Sequence, residues 1–155
     1  MTTELEKTVQ RLADIEDIKQ LKARYASACD DDYNPDKLAP LFSEDAICDG
    51  SIMGYAEGRE GIREFFGAAS DLVPFAVHQV SNPLIEINGD TATGQWFLWQ
   101  PMVFGEQALW LSAVYEDQYV RVDGKWLYQH LKLNVRMLTP FEEGPAKTRI
   151  IEMDL

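Results

Sequence analysis

Histidine and cysteine are scarce, with two of each in 155 residues. His78 and His130 lie far apart in sequence and show no His-x-x-x-His or His-x-Glu spacing, so a zinc or iron site is not expected. Cys29 and Cys48 form no Cys-x-x-Cys pair. That argues against a disulfide framework and for reduced thiols in a cytoplasmic setting. Basic residues are also few: 14 Lys and Arg stand against 26 Asp and Glu, a formal net charge of -12. Nucleic acids and anionic membrane surfaces need a basic footprint, so neither is an expected partner. No apolar run reaches the roughly 20 residues that cross a bilayer, and Met1-Thr2-Thr3-Glu4-Leu5-Glu6 carries no apolar signal core. Gly-x-Ser-x-Gly, Gly-x-Gly-x-x-Gly and P-loop patterns are all missing. Neither a serine nucleophile elbow nor a nucleotide cofactor is therefore indicated, and no cofactor is expected.

The length suits a single domain, with a core over about residues 10–142 and a tail over 143–155. Such a chain buries roughly 70% of its unfolded surface, enough for a core with an internal pocket. Leu5, Val9, Leu12, Ile15, Ile18, Leu21, Tyr25 and Ala28 recur in steps of three and four, which predicts a long amphipathic first helix. It should stop near Asp30-Asp31-Asp32, before the turn at Asn34-Pro35. A short helix is expected over 36–42, two short strands around Gly50 over 46–56, and a third helix over 58–69. The second half reads as a meander of strands over 75–87, 91–104, 108–122 and 125–137, with turns at Asn88-Gly89, Gly105-Glu106 and Asp123-Gly124. Helices first and antiparallel strands afterwards predict an α+β fold, with helices packed on one face of a curved sheet.

His78 is the residue that invites a chemical reading. It lies within Pro74-Phe75-Ala76-Val77-His78-Gln79-Val80, an apolar strand, where a side chain titrating near neutrality is an unusual choice. A carboxylate beside it would fix its tautomer and make it a better base. Asp30, Asp31 and Asp32 are the candidates. At about 100° per residue, Asp32 shares the face of Tyr25 if the helix runs on, whereas Asp30 turns inward if it ends there. In the last strand Trp126, Tyr128, His130, Lys132, Asn134 and Arg136 share one face unless a bulge intervenes. Trp, Tyr and Arg together suit an aromatic or carboxylate-bearing ligand, so that face is a candidate pocket wall. On 91–104, Gly94, Trp96, Leu98 and Gln100 share one face, with Gln95, Phe97 and Trp99 on the other. Both faces are apolar, so the strand is expected to be covered on both sides, and excess apolar surface suggests oligomerisation.

The order of elements resembles the SnoaL-like, scytalone dehydratase-like branch of the nuclear-transport-factor-two superfamily, over residues 10–142. The resemblance is carried by the stretch from Ile15 to Lys22 leading to Tyr25 and Asp30, by the His78 segment, by Thr91-Ala92-Thr93-Gly94-Gln95-Trp96, and by Tyr115-Glu116-Asp117-Gln118-Tyr119 followed by Asp123-Gly124-Lys125-Trp126. It implies a cone-shaped α+β barrel, in which a strongly curved sheet wraps helices around a pocket. Several members of this family, which includes scytalone dehydratase, bile acid 7-alpha-dehydratase and lindane dehydrochlorinase, are cofactor-free lyases with a His-Asp pair. By motif position the resemblance assigns that pair to His78 and Asp30. It makes Tyr25 similar to the tyrosine of the dehydratases and Arg136 similar to an arginine of the bile acid enzyme. Gln100 replaces an aspartate of that enzyme, which speaks against a steroid substrate. Homotrimers are common among the matching lyases.

The resulting expectation is a cofactor-independent, dehydratase-like elimination on a small hydrophobic, aromatic or polycyclic hydroxylated compound. His78, Asp30 and Tyr25 would be catalytic, and Arg136, Gln100, His130 and Trp96 would bind substrate. A dehydrohalogenase, a carbon-carbon lyase, a polyketide-type cyclase and a non-catalytic binding or subunit module are alternatives on the same scaffold.

Overall fold

The computed structural model describes residues 1–153. Helix α1 spans Glu4–Asp30 and starts with a capping box, in which the Thr3 hydroxyl accepts from the Glu6 amide and the Glu6 carboxylate accepts from the Thr3 amide. Asp31 caps its C-terminus, and Asp32 and Tyr33 both take positive φ, so the helix cannot continue. The Asn34 side chain then accepts from the Asp36 amide and opens α2, Pro35–Leu38, which tightens into a 3-10 turn at Ala39–Leu41. Strand β1 (Phe42–Asp49) leads through a 3-10 turn at Ser51–Met53 to β2 (Tyr55–Glu57), and α3 covers Arg59–Leu72. The remainder is β3 (Phe75–Ala76), β4 (Gln79–Asn88), β5 (Thr91–Phe104), β6 (Gln107–Val122) and β7 (Lys125–Pro140).

The strands form one seven-stranded sheet in the order β2-β1-β7-β6-β5-β3, with β4 also paired to β5. Among the strand pairs of the described residues, β1–β7 alone is parallel, and an isolated parallel bridge joins Leu138 to Ile150. The fold is α+β with a strongly curled sheet, as expected, but β2 and β3/β4 remain edges, so the barrel is not closed. The core lies where the concave face meets the helices. Ile18, Leu21 and Tyr25 of α1 pack there with Ile62 and Phe66 of α3 and the inward residues of β5 to β7. Among the described residues no helix is long and apolar enough to cross a membrane.

Four expectations need correction. The apolar stripe of α1 is buried only from Asp14 onward, and Leu5, Val9 and Leu12 are exposed. Twenty-seven residues make a helix about 40 Å long, and its first turns run past the core. The strand expected over 75–87 is broken, with Val77 and His78 lying between β3 and β4. β5 is covered on one face only: Trp96, Leu98 and Gln100 are buried, while Phe97 is exposed on the convex side. β7 contains two register shifts, where Gln129 and Arg136 are extra residues opposite β6. Trp126 and Tyr128 point into the core, but after the first bulge Leu131 and Leu133 take the inward positions. His130 and Arg136 therefore do not continue the wall begun by Trp126.

Candidate active site

The end of α1 and the break between β3 and β4 meet at one point. Asp30 Oδ1 accepts the backbone N–H of His78 at 2.9 Å and lies 2.7 Å from His78 Nδ1. A carboxylate only accepts, so in the neutral imidazole the proton sits on Nδ1 and Nε2 keeps its lone pair. The strand break frees the His78 amide for this bond. The imidazole is 4% exposed, whereas the Asp30 carboxylate is 35% exposed. The two neighbouring aspartates are elsewhere. Asp31 is held by Lys37 at 2.8 Å and by Asn34 at 3.0 Å, which keeps its carboxyl below the usual range. Asp32 occupies the left-handed turn.

His78 lines a cavity of about 200 Å³ between α3 and the concave face of the sheet. Its walls are apolar, built from residues such as Met53, Phe65, Phe66, Leu111 and Leu133. The polar side chains reaching it are His78, Gln100, Tyr25, Tyr33 and Tyr115, together with the Cys48 thiol. Lys, Arg, Asp and Glu are not among its lining residues. Tyr25 packs edge-on against Phe42, Phe66, Tyr115 and Tyr128, with ring centroids 5.5 to 6.4 Å apart. Burial raises its phenol well above the ordinary value, so it stays protonated.

The structure thus brings together four of the seven residues singled out in the sequence: Asp30, His78, Tyr25 and Gln100. The other three lie apart from the cavity. Trp96 donates through Nε1 to the Tyr119 hydroxyl at 3.0 Å, inside a buried network. His130 lies in an outer groove with Lys132 and Glu116. Arg136 is exposed at the second bulge. Tyr33, Tyr115 and Cys48 are polar cavity residues that sequence reasoning missed, and of these Tyr33 is the one whose ring meets His78. Tyr33 follows the helix, outside any periodic pattern. The only available signal was an aromatic ring in a turn among Asp and Asn, which must find cover somewhere. Among the described residues no group of three His, Cys, Asp or Glu side chains converges as a metal site would require.

Residues 10–132 match the SnoaL-like domain family, and the chain belongs to that family. An uncharacterised protein of Mycobacterium tuberculosis is 30% identical over 133 residues, covering 81% of this chain and 90% of the relative. A scytalone dehydratase-like protein of Novosphingobium aromaticivorans superposes with a TM-score of 0.79 at 23% identity, covering 86% of this chain and 91% of the other. The type 3 hexachlorocyclohexane dehydrochlorinase of Novosphingobium barchaimii gives 0.78 at 24% identity, covering 86% and 94%. At these identities the two solved structures establish a shared fold. These two structural neighbours bear the names of a dehydratase and a dehydrochlorinase.

Proposed function

We propose that the protein is a cofactor-independent lyase that eliminates water from a small hydrophobic hydroxylated compound. The observation that carries this reading is the double acceptance of His78 by Asp30 Oδ1 at the wall of an apolar cavity. His78 Nε2 removes a proton from a carbon next to a carbonyl or ring. The C–H electron pair becomes the new double bond as the C–O bond breaks. The imidazolium returns its proton to the departing hydroxyl, which leaves as water, and His78 is neutral again. Asp30 stabilises the transient imidazolium and holds its orientation. The donor that faces the developing oxyanion comes from the tyrosines and Gln100. A positioned acid–base group of this kind contributes ~100- to 10,000-fold.

A panel of hydroxylated aromatic and alicyclic compounds, followed by mass spectrometry, tests the reading. A product about 18 mass units lighter than the compound supplied, formed with the wild-type protein, supports it. The His78→Ala variant should be inactive yet folded, and turnover by that variant would refute the dyad. A product formed without mass change would point to a cyclase instead. The homotrimer implied by the family resemblance would have the convex-face aromatics Phe97, Trp99 and Trp110 available for subunit contact. Light scattering at three times the 17.6 kDa chain mass tests that assembly. The two unpaired thiols fit a reducing cytoplasm.

A further inference from the structure

Tyr33 is a polar residue of the cavity for which the proton-transfer pair has no use. Asp32 at φ 53° and Tyr33 at φ 51° are consecutive left-handed residues, an unfavourable pairing for side chains with a Cβ. This turn carries the phenol from the end of α1 into the chamber. There its ring stacks on Phe66 at 6.2 Å, with the planes 10° apart, and meets the His78 ring nearly at right angles at 5.6 Å. Its hydroxyl accepts from Gln100 Nε2 at 3.4 Å. Among the described residues no protein acceptor takes the proton of Tyr33 itself. Besides that long bond to Tyr33, the Gln100 nitrogen reaches the Met102 sulfur, a weak acceptor, at 3.5 Å. The Tyr33 O–H is thus a donor without a protein acceptor, beside an amide whose two bonds are long, inside a largely apolar chamber. Burial also raises the Tyr33 phenol far above the ordinary range, so it remains a donor at any working pH.

We infer that Tyr33 and Gln100 form the polar anchor of the cavity, where the Tyr33 hydroxyl donates to the oxygen of an uncharged carbonyl-bearing ligand. This rests on reading the cavity as the substrate site and narrows the substrate class to neutral ketones and related carbonyl compounds. A carboxylate would shed its hydration against a wall without Lys or Arg, and its one cationic partner would be a protonated His78, which could then no longer act as the base. A carbonyl held at Tyr33 would also acidify the neighbouring C–H bond that His78 must break, so anchor and base act on one functional group. Tyr25, enclosed by four aromatic rings, then serves mainly as wall.

The test is a set of protein-observed NMR titrations of the wild-type chain with 1-indanone, indane and indane-1-carboxylate, three probes of one ring system. The ketone should bind more tightly than the hydrocarbon, and the carboxylate most weakly. Tyr33→Phe keeps the ring and its packing, and should weaken the ketone about 3- to 10-fold, the worth of one hydrogen bond, with the hydrocarbon unchanged. Gln100→Leu should shrink the same preference from the other side of the anchor. Equal binding of ketone and hydrocarbon, tightest binding of the carboxylate, or a parallel loss for both neutral probes in Tyr33→Phe overturns the inference. These titrations read affinity without turnover. Failure of the anchor is therefore seen separately from failure of the dyad, which shows itself as activity in His78→Ala.

Discussion

Lys22 Nζ donates to Asp117 Oδ2 at 2.8 Å, and neither side chain reaches solvent. The ammonium also lies 3.3 Å above the Tyr115 ring, while Asp117 Oδ2 accepts a second bond from the Tyr119 hydroxyl at 2.9 Å. The network joins α1 to β6 and, through Trp96, to β5. Burial lowers the pKa of Lys22 and raises that of Asp117, and each is held back by the charge of the other. The pair sits directly behind Tyr115, a wall of the cavity.

Removing one partner leaves the other charged group buried alone. Lys22→Met should cost about 3–5 kcal/mol of stability in urea unfolding. The double variant Lys22→Met/Asp117→Leu should recover most of that loss, because two apolar residues need no compensation. If the single and double variants are equally unstable, the ion pair is not what holds α1 to the sheet.

The three aspartates after α1 allow a sharp mutational contrast. Asp30→Asn retains shape but loses the charge that stabilises an imidazolium at His78. Turnover should fall ~100- to 10,000-fold in kcat. Asp31→Asn touches only Lys37 and Asn34 on the surface, and kcat should stay at the wild-type level. A comparable loss in both variants would mean that the general charge of the helix end, not the contact to Nδ1, is what matters.

Much of the scaffold could be read from the chain because the signals are local. Gly89, Gly105 and Asp123-Gly124 supply the left-handed turn residues, and β5 to β7 follow from them; Asn88, expected in the first turn, instead ends β4 opposite Thr91. Gly94 is legible in hindsight through its contacts: a Cβ there would come within 2.9 Å of the Tyr119 ring and hydroxyl. Motif position in the family resemblance assigns Asp30 to His78, whereas helix phase alone leaves the three aspartates open, since the choice depends on where the helix ends. Parity along β7 failed for a physical reason. A bulge adds one residue without a sequence mark, and every side chain beyond it changes face. Lys22 lay hidden because its partner is 95 residues away. Tyr33 lay hidden because the turn that aims it belongs to no periodic pattern.

Arg136 is where sequence and structure give opposite outcomes. From strand parity it would anchor substrate, yet it stands exposed at the second bulge, outside the cavity. Arg136→Ala should leave KM and kcat within about twofold of wild type, the range expected of a surface change. A large rise in KM would restore the arginine to the binding site and require the sheet to move on ligand entry.

The two thiols give the chain a pH signature. Burial pushes Cys48 up to about 12, with Asp117 adding to the shift, and it raises Cys29 as well. Both thiols stay protonated in the folded protein, whereas in the unfolded chain they ionise near 8.5. Above that pH the folded state binds more protons than the unfolded state. Their contribution to stability is thus complete below about pH 8.5 and declines as the pH rises toward the folded values. One unit above 8.5 the loss is about 1.4 kcal/mol per thiol, or about 3 kcal/mol for both. Lys22, shifted down, acts in the opposite direction, so the thiols must be isolated by comparison. Urea midpoints of the wild type and of Cys29→Ala/Cys48→Ala should be compared at pH 7.5 and 9.5. The cavities left by alanine cost the same at both pH values, so the double variant should lose about 3 kcal/mol less than the wild type over that interval. Parallel losses would mean that both thiols ionise as readily in the folded chain as in the unfolded one. Cys48, which lines the cavity, would then be a reactive group within reach of a bound ligand.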